Sequence, residues 1–270
     1  MSDLVLLKLG GSVITVKDRP FTAREDVIRR LGHEIRQARA ANPGTRLVIG
    51  HGSGSFGHMV AHRYRTHEGI VDDDSWRGYA ETARAAACLN RLVTDWLFDL
   101  GLPVVGFQPS ASALCNAREL LRMEIEPVKR ALQGGLIPIL YGDVAMDDAQ
   151  GFSIISTEQI FAYLSRHLKP TCIVLAGIVD GVYDTDPLHH PDAARFAQIT
   201  PQNWPQVRSS LGGSHATDVT GGMLSKVRAM LDLVAALPAL RASIVSGAIP
   251  GRVQEALAGE CAAGTTICAR

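Results

Sequence analysis

Residues 4–12 read Leu4-Val5-Leu6-Leu7-Lys8-Leu9-Gly10-Gly11-Ser12. Every position up to Leu9 is apolar except Lys8, and a glycine pair follows. A strand apolar on both faces is covered on both faces, the situation of a strand inside a parallel sheet flanked by helices. Further apolar runs stand at Leu47–Ile49, Val104–Phe107, Leu136–Tyr141, Cys172–Ile178, Ala242–Ser246 and Thr265–Ala269, and each is expected to be a buried strand. Helical segments lie between them. Thr22-Ala23-Arg24-Glu25 has the capping-box pattern and predicts a helix to about Ala41, closed by Asn42-Pro43-Gly44. A long helical stretch runs from about Ser75 to Leu100. Ser156-Thr157-Glu158-Gln159 is a second capping box, for a helix to about Leu168, and another helix follows Gly221-Gly222 to about Leu237. This alternation predicts an α/β fold with a mainly parallel central sheet. One domain, 1-270, is expected, with a boundary near Leu168–Thr171 between two lobes that share the sheet.

The chain has 270 residues, of which 46% are hydrophobic, enough for a sizeable core. Lys+Arg and Asp+Glu are both 27, so no long-range basic field exists to collect nucleic acid or an acidic membrane. The five cysteines are scattered and form no Cys-x-x-Cys pair, which argues against a disulfide framework and a zinc site. The start of the chain has no basic n-region, Lys8 interrupts its apolar run, and no apolar stretch reaches the ~18 residues of a membrane span. A soluble cytoplasmic protein is expected, with no nucleic-acid or membrane partner and no metal-ligating set.

In open α/β sheets ligands sit beyond the carboxyl ends of the strands, so glycine-rich turns there are the candidate site. Gly10-Gly11 ends the first strand. His51-Gly52-Ser53-Gly54-Ser55-Phe56-Gly57-His58 ends the second, and Gly142-Asp143 ends Leu136–Tyr141. Asp180-Gly181-Val182-Tyr183 follows Cys172–Ile178, and Thr220-Gly221-Gly222-Met223 opens a helix carrying Lys226. Gly52-x-Gly54-x-x-Gly57 formally matches a dinucleotide-binding fingerprint, which requires an acidic residue about 20 positions on at the end of a strand. Asp72-Asp73-Asp74 stand near that distance, but no apolar strand precedes them, and the match is weak.

Lys8 is a charge at the end of an apolar strand and needs a partner. Lys17 lies beyond a glycine loop that can fold back over the sheet edge. Lys226 sits about one turn into a helix, where a cation opposes the dipole unless an anion is bound there. Each lysine alone reads as a solvated surface residue; together, at glycine-rich ends, they read as an anion site. His33, His62, His67, His189, His190 and His215 read as surface residues, and His51 as a buried loop residue satisfied by backbone. His58, expected at the start of a helix, faces either an anion held by the loop or water. Asp180 and Asp184 form either an ordinary acidic turn or a nucleotide- or magnesium-side pair.

These segments together resemble the amino acid kinase superfamily over nearly the whole chain. Gly-Ser-Phe-Gly-His at 54–58 is similar to the branch holding isopentenyl phosphate kinases and fosfomycin kinases. The resemblance implies an open αβα sandwich, with an acceptor-binding lobe of about 1-169 and an ATP-binding lobe of about 170-270. It implies ATP-dependent phosphorylation of isopentenyl phosphate in isoprenoid biosynthesis, with Mg2+, by a homodimer. Lys8, Lys17 and Lys226 would surround the transferring group, and His58 would bind the acceptor's phosphate. The acceptor side would comprise Ser53, Gly54, Ser55, His58, Asp143, Ser156 and Thr157. The ATP side would comprise Lys8, Gly10, Gly11, Gly54, Asp180, Gly181, Tyr183, Asp184, Gly221, Gly222 and Lys226. The chain departs from the pattern at Ser53, where many relatives have glycine, and at Ser156-Thr157-Glu158, where relatives have Ser-Gly-Asp. Thr157 either offers its N–H and hydroxyl to the acceptor phosphate or narrows the pocket.

Transfer between two phosphates suits such residues. Phosphoryl transfer is mostly positioning and charge stabilisation. A phosphate monoester, with a second pKa of about 6, is already an oxyanion at neutral pH and needs no general base. Two unit charges ~4 Å apart repel by ~4 kcal/mol at an effective dielectric near 20, which lysines, Mg2+ and helix N-termini offset. Trp76 and Tyr79 are a candidate wall for an apolar C5 tail, or else ordinary core. Three other readings stay open: a kinase for fosfomycin or an acidic amino acid, a nucleotide-binding member without turnover, and a dinucleotide-dependent oxidoreductase.

Overall fold

The computed structural model describes residues 3–211, 222–259 and 263–270. The first half contains β1 (Leu4–Leu9), α1 (Gly11–Ile14), α2 (Glu25–Ala41), β2 (Arg46–His51), α3 (Gly54–Arg63), α4 (Ser75–Asp99) and β3 (Val104–Gly106). Then come β4 (Leu114–Asn116), β5 (Glu119–Arg122), α5 (Glu126–Gln133), β6 (Ile137–Tyr141), β7 (Asp143–Asp147), β8 (Gly151–Ile155) and α6 (Thr157–Leu168). The rest holds β9 (Cys172–Gly177), β10 (Val182–Tyr183), β11 (Arg195–Phe196), β12 (Gln198–Ile199), α7 (Trp204–Leu211), α8 (Gly222–Ala236), β13 (Arg241–Ser246), α9 (Arg252–Ala258) and β14 (Thr265–Ile267).

The main sheet has the order β12-β14-β13-β9-β1-β2-β6-β3 and is parallel except between β13 and β14. β1 is hydrogen-bonded to β2 on one side and β9 on the other, so the strand order reverses there. The carboxyl end of β1, with Gly10-Gly11, therefore opens on the crevice where such sheets bind ligands. Alternate residues face opposite layers. Leu4, Leu6, Val48, Leu140 and Ile173 pack with residues of α6 and α8. Val5, Leu7, Leu9, Leu47 and Ile49 pack with residues of α2, α4 and α9. This is the expected αβα sandwich. The same alternation sends Lys8 after Leu6 toward α6 and α8, and His51 after Ile49 toward α4.

Three expectations are corrected. A second sheet, β5-β4-β7-β8, lies where no strands were expected; its strands are short, and the chain passes from β6 through Gly142 directly into β7. Thr22 does not cap α2: Arg24 is the N-cap residue, with no side-chain cap. Thr22 instead accepts the Val16 amide at 2.9 Å in a turn closed by the Thr15–Ala23 bridge. Pairing across that turn outweighs the local capping pattern. By contrast, Ser156 and Gln159 form the reciprocal capping box of α6. Finally, α3 begins at Gly54, so His58 lies a turn into the helix rather than at its start. His33, His62, His67, His189 and His190 are exposed, while His215 lies outside the described residues. Among the described residues no helix is long and apolar enough to cross a membrane.

Candidate active site

β1 and β2 pair in register, Lys8 with Gly50 and Leu9 with His51, so their glycine loops leave the sheet side by side. The loops touch backbone to backbone. A Cβ on Gly11 would lie 2.6 Å from the Gly54 nitrogen, and one on Gly54 would lie 2.3 Å from Thr15 Oγ1. Gly54 also has φ of 49°, so glycine answers both the space and the conformation. Thr15 fastens the two loops, since its hydroxyl donates to the Gly11 carbonyl at 2.7 Å and accepts the Ser55 amide at 3.0 Å. Phe56 and Gly57 donate to the Ser53 carbonyl. The amides of Ser55, Phe56 and Gly57 are therefore already engaged. The amides of Gly11, Ser12, Ser53 and Gly54 meet no acceptor among the described residues, and these crown the crevice. Gly10 is tied down, its amide donating to the Ala176 carbonyl at 2.8 Å. The Ser55 hydroxyl is buried without a partner among the described residues.

Lys8 forms an ion pair with Glu158, the second residue of α6. Burial acts to raise the Glu158 carboxyl. The charge and hydrogen bond of Lys8, together with Lys226 from α8, outweigh it and hold the group below the usual carboxylate range. Two of the three lysines singled out in the sequence thus bear on one largely buried acid. Lys17 does not join them among the described residues; it is exposed in the turn between Thr15 and Ala23. Glu158 was missed as the partner, although Lys8 signalled that one must exist.

The Thr157 hydroxyl donates to the His51 carbonyl at 2.7 Å, which also accepts the Gly142 amide at 3.0 Å. Of the two readings of Thr157, the hydroxyl is thus used to join α6 to the end of β2, and its N–H is what remains to offer an acceptor phosphate. The Ser156 hydroxyl is likewise engaged, in the cap of α6. His51 is buried as expected, with Nδ1 3.0 Å from the Gly52 carbonyl and Nε2 3.1 Å from Asn90 Nδ2. Burial lowers its pKa to about 4, assisted by the Lys8 charge and opposed by the bond to Gly52. The ring is neutral at neutral pH. Asn90, on α4, carried no local signal of this role.

His58 is exposed on α3. Asp143 opens β7 and is buried, its carboxylate accepting the amides of Ser110 at 3.1 Å and Val144 at 2.9 Å. Burial pushes its pKa up, against those hydrogen bonds. Trp76 and Tyr79 on α4 meet Phe152 of β8, with ring centroids 5.3 Å and 5.4 Å from it. Trp76 stays half-exposed there. Asp72 accepts the Ser75 hydroxyl at 2.9 Å at the start of α4. It ends no strand, which removes the dinucleotide fingerprint.

Across the crevice, Asp180 accepts the Ser246 amide and Arg252 Nε, both at 3.0 Å. Both of its oxygens are thus held by protein donors, which favours the structural of its two readings. Gly181 has φ of 123°, and a Cβ there would lie 2.7 Å from Thr265 Oγ1. The Tyr183 hydroxyl is 3.4 Å from the Asp180 carbonyl, and Asp184 accepts the Ala194 amide at 2.9 Å. Gly222 begins α8 with φ of 61°; Gly221 lies outside the described residues. Among the described residues no group of three or more His, Cys, Asp or Glu is placed to hold a metal ion.

Known proteins are similar to this chain along most of its length. A family profile described as "Amino acid kinase family" matches residues 3–245. The isopentenyl phosphate kinase of Methanothermobacter thermautotrophicus is 38% identical over 271 residues, spanning 98% of each chain. That of Haloferax volcanii is 32% identical, spanning 93% of this chain and 98% of its own. A solved structure described as "X-ray structures of isopentenyl phosphate kinase" has a TM-score of 0.82 at 35% identity, covering 98% of this chain and 99% of that one. Carbamate kinase from Giardia lamblia bound to AMP-PNP shares the fold, with a TM-score of 0.72 at 14% identity across 100% of this chain and 99% of that one. The match spans both glycine loops and both lysines around Glu158, and the chain belongs to the amino acid kinase family.

Proposed function

We propose that this kinase transfers the γ-phosphoryl group of ATP to isopentenyl phosphate, giving isopentenyl diphosphate for isoprenoid biosynthesis. The carrying observation is 38% identity along 98% of the chain to a protein named for that reaction. The geometry supports it. The acceptor is its own nucleophile, so the protein has only to hold two anions together and neutralise them. Lys8, fixed by Glu158, and Lys226 flank the transferring group, and Lys17 approaches from its turn. The amides of Ser53 and Gly54, His58 and the first-turn amide of Thr157 hold the acceptor phosphate in the lobe of about 1-169. The aromatic cluster of Trp76, Tyr79 and Phe152 borders its apolar tail.

ATP lies against Gly10-Gly11, the 180–184 turn and Gly221-Gly222, in the lobe of about 170-270. The carboxylates of Glu158, Asp143 and Asp180 are engaged by protein donors. Mg2+ would enter with the nucleotide and supply charge neutralisation at the transferring group, with Asp184 the remaining carboxylate of the 180–184 turn that could approach it. A cytoplasmic homodimer completes the reading. Turnover of ATP with isopentenyl phosphate, fosfomycin, glutamate and free isopentenol tests it. Rapid ADP formation is expected with isopentenyl phosphate alone; comparable turnover with fosfomycin or glutamate overturns the assignment.

A further inference from the structure

His51 and Lys8 project to opposite faces of the sheet. The His51 ring reaches Asn90 of α4 and stacks on Tyr141, with centroids 5.5 Å apart and an interplanar angle of 11°. Lys8 reaches Glu158 of α6 on the other face. The Gly52 carbonyl lies 3.0 Å from His51 Nδ1 and so points toward the His51 face. No peptide bond among the described residues is cis. In a trans peptide the C=O and the next N–H point in opposite directions. The Ser53 N–H is therefore turned toward the face that carries Lys8, and it meets no acceptor among the described residues.

The proton on His51 follows from its neighbours. A carbonyl only accepts, so Nδ1 carries the hydrogen and donates to Gly52. The Nε2 of a neutral ring then only accepts, and the Asn90 amide donates to it at 3.1 Å. A single tautomer satisfies both contacts. The opposite tautomer would set the bare Nδ1 lone pair against the Gly52 oxygen, and a charged ring would set two donors against each other at Asn90.

We propose that His51, with its tautomer set by Asn90, is a positioning residue that aims the Ser53 amide at the acceptor phosphate. The inference rests on the acceptor-side reading of the 51–58 loop. His51→Asn keeps a donor near the position of Nδ1; His51→Leu fills the space without one. A hydrogen bond donated by the Ser53 N–H to a charged phosphate is at stake, so His51→Leu is expected to raise the acceptor KM roughly tenfold to a hundredfold. The ATP KM should stay within about twofold, and His51→Asn should stay within about threefold of wild type for both. Titration with inorganic phosphate, followed by amide NMR, should move the Ser53 resonance downfield in wild type and His51→Asn but not in His51→Leu. If His51→Leu fails to fold, Asn90→Leu takes its place and should raise the acceptor KM alone. An unmoved Ser53 resonance in wild type, or an unchanged acceptor KM in the variant lacking the contact, overturns the proposal. So does an equal rise in both KM values together with a lower Tm, the mark of a purely structural residue. Lack of turnover with isopentenyl phosphate would remove only the acceptor's identity, because the phosphate titration reads the Ser53 amide without it.

Discussion

Lys8 and Glu158, 150 residues apart in the chain, form an ion pair at the end of the central strand, with their side chains only 13% and 12% exposed. Breaking such a pair from one side costs roughly 3–5 kcal/mol, whereas replacing both partners by apolar groups is often neutral. Glu158→Gln should therefore lower both stability and kcat. Lys8→Met combined with Glu158→Leu should recover much of the stability and none of the activity. Urea denaturation beside steady-state turnover separates the two effects. A Glu158→Gln variant as stable as wild type would show that the pair does not hold α6 to the sheet.

Lys226 bears on the same acid from α8, whereas Lys17 stands in an exposed turn. Loss of a preorganised charge at a transferring group typically costs a hundredfold or more in kcat. Lys226→Met and Lys17→Met should each show about that loss while keeping the wild-type circular dichroism spectrum. Near-normal kcat in Lys17→Met alone would mean that its turn stays away from the crevice during turnover.

The contact between the glycine loops gives a prediction with a built-in control. Gly54 and Gly135 both have positive φ, but a Cβ on Gly135 would meet nothing within 4 Å. Gly135→Ala should thus cost only the conformational penalty, about 1–2 kcal/mol. Gly54→Ala adds a collision with Thr15 and should cost clearly more, with most of the activity. Equal midpoints in chemical denaturation would show that the loops separate easily.

Much of the main sheet was legible because strands buried on both faces are written as unbroken apolar runs. β4, β5, β7 and β8 escaped because strands of three to five residues, such as Leu114–Asn116, are too short to establish a period. Lys8 and Lys226 stood out locally, one as a charge in an apolar strand and the other as a cation against a helix dipole. Their setting did not. The Thr15 contact with Ser55 spans 40 residues and the Asn90 contact with His51 spans 39. The Thr157 hydroxyl was visible as a donor, but its acceptor 106 residues away was decided by how α6 meets the end of β2.

His58 projects from the second turn of α3, the helix that the glycine loop opens. If it binds the acceptor phosphate, His58→Ala should lower kcat/KM for the acceptor roughly tenfold to a hundredfold, and His58→Asn by less. The ATP KM should not change in either variant. A matching rise in the ATP KM would move His58 to the nucleotide side.

The last prediction concerns acid. His51 has its pKa lowered from 6.5 to about 4, mainly by burial, so between those values the unfolded chain binds a proton that the folded chain refuses. Its contribution to stability is fully present above about pH 6.5, declines as pH falls toward 4, and levels off below that. The full decline amounts to about 3 kcal/mol, a large part of the 5–15 kcal/mol that holds an ordinary domain together. Other groups act in neighbouring ranges. The lowered carboxyl of Glu158 withdraws its share as pH falls from the usual carboxylate range down to its own lower value. Asp143, raised by burial, has the opposite sign and favours the folded state as pH falls through the carboxylate range. Asp143 and Glu158 are common to wild type and His51→Asn, so between about pH 6.5 and 5 the difference between the two proteins reports on His51. Urea midpoints measured from pH 8 to 4.5 should fall more across that window in wild type than in His51→Asn, whose amide does not titrate. Parallel curves for the two proteins would mean that the imidazole accepts its proton in the folded state as readily as in water, and that Asn90 and Gly52 do not fix its tautomer.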